Sequence, residues 1–156
     1  MKRTLLIGET GSGKSALVRA LARNLDQNLA RGLASGQPDG LHVPNRVMAV
    51  ERIGPFVVTP GEFLENRRFY RALITASAGC ERALFLHNAT RRSSLFPPGF
   101  ASAFNLPVAG VLTHTDAPNA DIGLATRFFH SAGVRRLFLT DGTRGAQLDE
   151  LRVFLR

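Results

Sequence analysis

Short apolar runs alternate with longer amphipathic segments along the chain. The short runs predict buried strands at residues 5–7, 83–86, 108–112 and 137–139, and strands nearer the sheet edge at 47–50 and 56–58. Apolar residues at helical spacing predict helices after residue 15, after residue 62, at 120–132 and at 146–155. This order predicts an α/β fold in which helices pack on a mostly parallel sheet.

The length of 156 residues suits one domain, and no linker or internal repeat divides the chain. We therefore expect a single domain over residues 1–156. Residues 32–46 are rich in Gly and Pro and predict a loop, while the Pro- and Phe-rich stretch 93–107 predicts little regular helix. Helical spacing in 120–132 directs Ile122, Leu124, Ala125 and Phe128 toward the core.

Residues 8–15, called the phosphate loop below, match the pattern G-x-x-x-x-G-K-[ST] between an apolar strand and an amphipathic helix. Glycines let successive backbone N–H groups converge on phosphate, and the start of the following helix adds partial positive charge. A chance match has a probability of about one per cent at average residue usage, so a glycine-rich turn with an exposed lysine is the weaker interpretation. The predicted nucleotide-binding residues here are Gly8, Glu9, Thr10, Gly11, Ser12, Gly13, Lys14, Ser15 and Ala16.

Two side chains of the phosphate loop have specific predicted roles. Lys14 would bridge the β- and γ-phosphates as a point charge and assist catalysis. Ser15 is the predicted metal ligand, because its hydroxyl suits Mg²⁺, whose other ligands would be phosphate oxygens and water. The predicted ligands are therefore GTP or ATP, with Mg²⁺.

Charge and cysteine content narrow the function classes. The net charge of +8 comes mostly from arginines, which are spread along the chain without interleaved aromatic residues, so we expect no nucleic-acid partner. Cys80 is the single cysteine and the four histidines lack metal-ligand spacing, which argues against a structural metal. No apolar run approaches the roughly 20 residues of a membrane span. The first run ends at Gly8, so we expect a cytoplasmic protein without a signal peptide.

The segment at residues 59–67, TPGEFLENR, resembles the signature of the EutP/PduV family, small P-loop GTPase-like proteins of ethanolamine and propanediol utilisation. Further segments follow the family's order, among them MKRTLLIG, RALITASA, LFPPGF, VAGVLTHTD and LDELRVFL, so the resemblance covers almost the whole chain. It implies a Ras-like P-loop NTPase fold with three α/β/α layers. It also implies an association with bacterial microcompartment metabolism, where a microcompartment component or a metabolic enzyme would be the partner.

Gly61 and Glu62 in this signature are the other candidate catalytic residues. In GTPases the equivalent loop lies beside the γ-phosphate, where the Gly61 N–H could contact it and Glu62 could orient the attacking water. A carboxylate at Glu62 would also repel that phosphate. The signature has a structural interpretation as well, because Thr59 and Glu62 have capping-box spacing and Pro60 suits a first helical position.

Base recognition is predicted at two further loops. The GTPase superfamily uses an N/T-K-x-D segment after a buried strand, and Thr113, His114 and Asp116 lie in that position, with histidine replacing the usual lysine. The Asp116 carboxylate can accept two hydrogen bonds from guanine but not from adenine, which favours GTP. A helix-capping role for Asp116 stays open. Asp141 and Gly142 lie where the last recognition loop is expected.

Two departures from the GTPase pattern bear on catalysis. Val58 replaces the aspartate that holds Mg²⁺ through water, and the chain between residues 22 and 58 has no threonine to ligate the ion, with Ser35 its one hydroxyl. We therefore expect nucleotide binding with weak hydrolysis. The alternatives are a catalytically degenerate docking or scaffold protein and an ATP-dependent phosphotransferase for a small acid. The arginines at 67, 68 and 71 form either an interaction surface or an ordinary solvated helix face.

Overall fold

The core of the molecule is a six-stranded sheet with helices on both faces. A computed structural model describes residues 2–22, 49–140 and 147–156. Its strands are β1 (Thr4–Ile7), β2 (Glu51–Ile53), β3 (Phe56–Val58), β4 (Arg82–Asn88), β5 (Val108–Thr113) and β6 (Arg136–Leu139). They lie in the order β2-β3-β1-β4-β5-β6, with β2 antiparallel to β3 and the other neighbours parallel. The predicted α/β fold with a mostly parallel sheet is confirmed.

The helices in the described residues follow the strands as predicted. They are α1 (Lys14–Ala22), α2 (Glu62–Glu65), α3 (Tyr70–Ser77), α4 (Ile122–Ser131) and α5 (Leu148–Leu155), with 3₁₀ turns at Arg67–Phe69 and Phe100–Ala103. The single helix expected after residue 62 is divided, because Asn66 is extended (φ −127°, ψ 117°) and its side chain accepts a hydrogen bond from the Arg68 N–H at 3.2 Å. Between 93 and 107 the regular helix is limited to one 3₁₀ turn, as expected.

Alternating side chains of the strands form two separate cores. Leu6 of β1 and Leu84 of β4 belong to the cluster under α1 and α5, whereas Leu5 and Phe85 belong to the cluster under α3 and α4. Successive residues of a strand point to opposite faces, so strands buried on both sides are apolar throughout. The result is the three-layer α/β/α arrangement of a P-loop NTPase fold.

Three local predictions need correction. The edge strand expected at 47–50 is absent at residues 49 and 50, the part of it that the structure describes, and the edge strand is Glu51–Ile53, because the turn at Gly54 (φ 58°) pairs Glu51 directly with Val58. Ile122 is 38% exposed, since it starts α4, whose buried residues are Ala125 and Phe129. The capping box is absent, because α2 begins after Gly61 with no side-chain cap and the Thr59 hydroxyl donates to the Leu6 carbonyl at 2.8 Å.

Most of the loop predicted at 32–46, and the part of the edge strand at residues 47 and 48, lie outside the described residues. Among the helices that are described, none has both the length and the apolar character needed to cross a bilayer.

Candidate functional site

The phosphate loop connects β1 to α1 at the carboxyl end of the sheet. Gly11 (φ 82°) and Gly13 (φ 95°) adopt backbone conformations that side-chain-bearing residues disfavour. A Cβ on Gly13 would lie 3.1 Å from Cγ2 of Thr113, so glycine also permits close packing against the end of β5. In the strand order, the direction of chain connection reverses between β1 and β4, and ligands of open α/β sheets bind at such a point.

Lys14 folds back into the phosphate loop. Its Nζ donates to the Gly8 carbonyl at 2.5 Å, to the Glu9 carbonyl at 3.0 Å and to Ser12 Oγ at 3.4 Å, and the residue is 8% exposed. Burial lowers the pKa of Lys14 to about 8, although the carboxylates of Glu65 and Glu9 oppose the shift. The Lys14 ammonium is therefore partly dehydrated and surrounded by neutral acceptors. A bound anion would stabilise it.

The segment after β3 packs directly on the phosphate loop. A Cβ on Gly61 would come within 2.8 Å of Thr10 Cα and closer still to the Thr10 amide nitrogen. The Thr10 N–H donates to Oε1 of Glu65 at 3.0 Å. Glu62, the predicted water-orienting residue, is exposed at the first position of α2. The carboxylate that touches the phosphate loop is thus Glu65, which the sequence interpretation overlooked because it considered only the first residues after Gly61.

The end of β5 joins the phosphate loop to the predicted base-recognition loop. The Thr113 hydroxyl donates to the Ser12 carbonyl at 2.7 Å and lies 3.0 Å from Nδ1 of His114. His114 has a positive φ of 58°, and Asp116 is exposed two residues further on. Thr115 ties this loop to the end of β6, since its hydroxyl donates to the Thr140 carbonyl at 3.0 Å.

The predicted recognition residues Asp141 and Gly142 directly follow Thr140 and lie outside the described residues. Asp116 does not cap α4, because the N-cap of that helix is Asp121, whose carboxylate accepts from the Leu124 N–H at 3.0 Å. The helix-capping interpretation of Asp116 is therefore wrong for α4. Its role in base recognition stays a prediction.

Asn88, the last residue of β4, and Arg91 in the turn that follows also reach the phosphate loop. Nδ2 of Asn88 donates to the Gly11 carbonyl at 3.3 Å, and Nη2 of Arg91 lies 3.6 Å from the place that a Cβ on Gly11 would occupy. Burial raises the pKa of Glu9, and the Arg91 guanidinium is the main influence that lowers it. Sequence interpretation missed both residues. The available signal was their position at the carboxyl end of a parallel strand next to the point where the direction of chain connection reverses.

Among the described residues, we find a candidate ligand for Mg²⁺ only in the phosphate loop. Ser15 is partly exposed in the first turn of α1, next to Lys14. Val58 is fully buried in the core cluster under α1 and offers no ligand. No group of three or more His, Cys, Asp or Glu side chains that could hold a metal occurs in the described part of the chain. A bound Mg²⁺ would depend on Ser15 together with phosphate oxygens and water.

Comparison with known proteins gives consistent matches along the chain. The model of the ethanolamine utilisation and propanediol utilisation family, PduV-EutP, matches residues 1–156. The propanediol utilization protein PduV of Citrobacter freundii is 31% identical over 156 residues, which cover 99% of this chain and 93% of that protein. The probable acetate kinase EutP of Escherichia coli K12 is 30% identical over 144 residues, covering 91% and 75%. The probable acetate kinase EutP of Salmonella typhimurium LT2 is 29% identical over 137 residues, covering 86% and 76%.

Proposed function

The chain belongs to the PduV-EutP family of ethanolamine and propanediol utilisation, and from that premise we propose that it is a nucleotide-binding protein of the small GTPase type. It binds GTP, or alternatively ATP, with Mg²⁺ on the phosphate loop and hydrolyses the nucleotide weakly. Its protein partner would be a microcompartment component or a metabolic enzyme of such a pathway, within the cytoplasm.

The observation that carries this proposal is the arrangement around Lys14. A buried ammonium with a pKa of about 8 is held at the start of α1, in a loop in which Gly11 and Gly13 adopt positive φ. The N-terminus of a helix and converging amides stabilise an anion. The negative charge of a triphosphate would also stabilise the Lys14 ammonium, which burial has separated from water. Ser15 would supply the protein ligand for Mg²⁺, which when bound neutralises phosphate charge.

Hydrolysis would use the segment that packs on Thr10. Water attacks the γ-phosphorus, the bond to the bridging oxygen breaks, and GDP and inorganic phosphate leave. Glu62 orients this water, while the Gly61 N–H and Lys14 stabilise the charge on the transferred group. Turnover is slow because Val58 is a buried apolar side chain where an aspartate would hold the ion through water.

A thermal-shift titration with GTP, GDP, ATP and ADP, each with and without Mg²⁺, tests nucleotide binding. At 100 times its dissociation constant a ligand stabilises the protein by about 2.7 kcal/mol. We expect Lys14→Ala to abolish this stabilisation, and Lys2→Ala, which changes the only other lysine and an exposed one, to preserve it. Absence of stabilisation by all four nucleotides would overturn the proposal.

Asp116→Ala tests the choice of base. If the Asp116 carboxylate reads guanine, the variant loses affinity for GTP by about 10- to 100-fold, while its affinity for ATP is unchanged. An equal loss for both nucleotides, or no loss for GTP, would remove Asp116 from base recognition.

A second candidate function is suggested by the names of relatives that are called probable acetate kinases. In that reaction a carboxylate oxygen of a small acid would attack the γ-phosphorus of ATP, giving an acyl phosphate and ADP. Incubation with ATP, acetate and hydroxylamine, which traps an acyl phosphate as a hydroxamate, separates this function from hydrolysis. Tight nucleotide binding without either product would instead support the docking or scaffold alternative.

A further inference from the structure

Arg91 stands beside the phosphate loop on a turn that the fold holds in place. The Arg91 N–H donates to the Asn88 carbonyl at 3.0 Å, and Oδ1 of Asn88 accepts from the Thr90 N–H at 3.0 Å and the Thr90 hydroxyl at 2.7 Å. Ala89 joins this turn to the sheet, because its N–H donates to the Thr113 carbonyl at 2.9 Å. The backbone that carries Arg91 is therefore fixed to the carboxyl ends of β4 and β5.

The guanidinium of Arg91 lies against the middle of the phosphate loop. Nη2 is 3.6 Å from the position that a Cβ on Gly11 would occupy. Thr10, the residue before Gly11, touches the segment that carries Gly61. Lys14, by contrast, lies where the phosphate loop enters α1. Because the Gly61 segment is the one proposed to meet the γ-phosphate, Arg91 and Gly61 border the same end of the phosphate chain.

The side chain of Arg91 also has freedom to change partners. Arg91 is exposed, and the charge of its guanidinium counteracts the rise in the pKa of Glu9. An exposed arginine near the phosphate loop can turn toward a bound phosphate, which it binds through two parallel N–H donors.

We propose that Arg91 binds the terminal phosphate of the nucleotide and makes the site prefer a nucleoside triphosphate over the diphosphate. This inference rests on the proposed nucleotide binding and names a residue outside the loop motif that sets specificity at the same site. Arg91 supplies positive charge at the end of the phosphate chain. Val58, which is buried, offers no carboxylate there to hold Mg²⁺ through water.

The test compares dissociation constants for GDP and for the non-hydrolysable analogue guanylyl imidodiphosphate, or the adenine pair if ATP binds better. Arg91→Ala should lower the preference for triphosphate about tenfold, and Arg91→Lys should lower it less, because lysine keeps the charge without the paired donors. Arg92→Ala removes an exposed arginine from the adjacent position and should leave the preference unchanged.

The possible results separate the role of Arg91 from nucleotide binding itself. An unchanged triphosphate preference in Arg91→Ala, or an equal change in Arg92→Ala, would overturn the role of Arg91 while leaving nucleotide binding intact. If the wild-type protein bound neither nucleotide, the proposed function itself would fail, and the inference would fall with it.

Discussion

Lys14 shows how one residue reduces stability in favour of ligand binding. Its ammonium is almost fully buried, and three neutral oxygens replace its water shell. Because the pKa of Lys14 falls from 10.5 to about 8, the side chain stays mostly protonated at neutral pH, but its charged form is less stable in the folded protein than in the unfolded chain. A triphosphate would reverse this penalty, so part of the binding energy comes from relieving a cost already present in the free protein.

Glu65 places a negative charge at the proposed phosphate position. Its Oε1 accepts the Thr10 N–H at 3.0 Å, which is a donor that the phosphate loop would otherwise direct at the nucleotide. Glu65→Gln keeps an acceptor but removes the charge, so we expect GTP affinity to rise roughly two- to fivefold at pH 7, a small effect because Glu65 is exposed. Isothermal titration at low ionic strength measures the change.

Glu62→Gln changes the other exposed carboxylate of α2 and tests a different role. If Glu62 orients water, this variant loses turnover, whereas Glu65→Gln keeps it. Weaker GTP binding in Glu65→Gln would show that the carboxylate supports the loop rather than competing for it.

His87 is a buried residue whose charge state should control acid stability. It is 2% exposed on β4, its Nε2 has no hydrogen-bond partner among the described residues, and its ring packs edge-on against Phe128 at 5.5 Å between centroids. Burial lowers the pKa of His87, assisted by the nearby Arg91 charge and opposed by a hydrogen bond to the Arg91 backbone. The folded protein therefore prefers the neutral ring.

Because the folded-state pKa of His87 lies below 6.5, its contribution to stability is fully present above that value and is lost as pH falls through the folded pKa. Urea titrations should show wild type losing up to about 1.4 kcal/mol per pH unit in this range relative to His87→Leu. His130→Gln, which changes an exposed histidine on α4, should keep the wild-type acid sensitivity. Parallel pH profiles for wild type and His87→Leu would exclude His87 as the cause.

At the scale of elements, the sequence pattern predicted those strands whose burial is continuous. The cores of β1, β4, β5 and β6 were located within one or two residues because each is an unbroken apolar run. β2 was misplaced because its position depends on the hairpin turn at Gly54, and an exposed edge strand needs little hydrophobicity. The break between α2 and α3 was missed because it depends on a local side-chain bond of Asn66.

The sequence predicted those site residues that lie within a recognisable motif or directly after a predicted strand. Residues of the phosphate loop carry their own motif, and Thr113 follows a buried strand. Glu65, Asn88 and Arg91 are 50 or more residues from that loop, and their contacts exist only because the ends of β3 and β4 lie beside β1. Tertiary packing produces these contacts, and no local pattern encodes them.

The contact between the loop after β3 and the phosphate loop should affect both stability and nucleotide binding. A Cβ on Gly61 would overlap the backbone of Thr10, which cannot move without shifting the phosphate loop. We expect Gly61→Ala to lower the free energy of unfolding by about 1–3 kcal/mol and to reduce nucleotide affinity, because overpacking displaces the neighbouring backbone. Urea unfolding and nucleotide titration of one preparation measure both.

Gly123→Ala provides the matched control for Gly61→Ala. Gly123 is in the first turn of α4, and a Cβ there would meet its nearest neighbour, Oδ1 of Asp121, at an ordinary 3.7 Å. This variant should be neutral or slightly stabilising, because alanine favours a helix by up to about 1 kcal/mol over glycine. Normal stability and nucleotide affinity in Gly61→Ala would mean that the two loops are not packed as described.

At the scale of the whole molecule, the fold gathers the candidate site at one end of the sheet and leaves an excess of positive charge over the surface. The chain has 20 Lys and Arg against 12 Asp and Glu, a net charge of +8. Like charges repel more strongly in the compact state than in the extended unfolded chain, so this charge lowers stability at low ionic strength. The Debye length is about 10 Å at 0.1 M salt, which is short enough to screen much of that repulsion.

We therefore expect the urea midpoint to rise between about 20 mM and about 200 mM sodium chloride, a range over which surface repulsion is progressively screened. Arg67→Glu with Arg71→Glu tests the cause, because both side chains are exposed and the two reversals change the net charge by four, from +8 to +4. The double variant should show a smaller rise, and Arg67→Gln with Arg71→Gln an intermediate one. If all three proteins responded to salt equally, the rise would reflect a specific ion effect, and if the wild-type midpoint fell with salt, attraction rather than repulsion would dominate the surface.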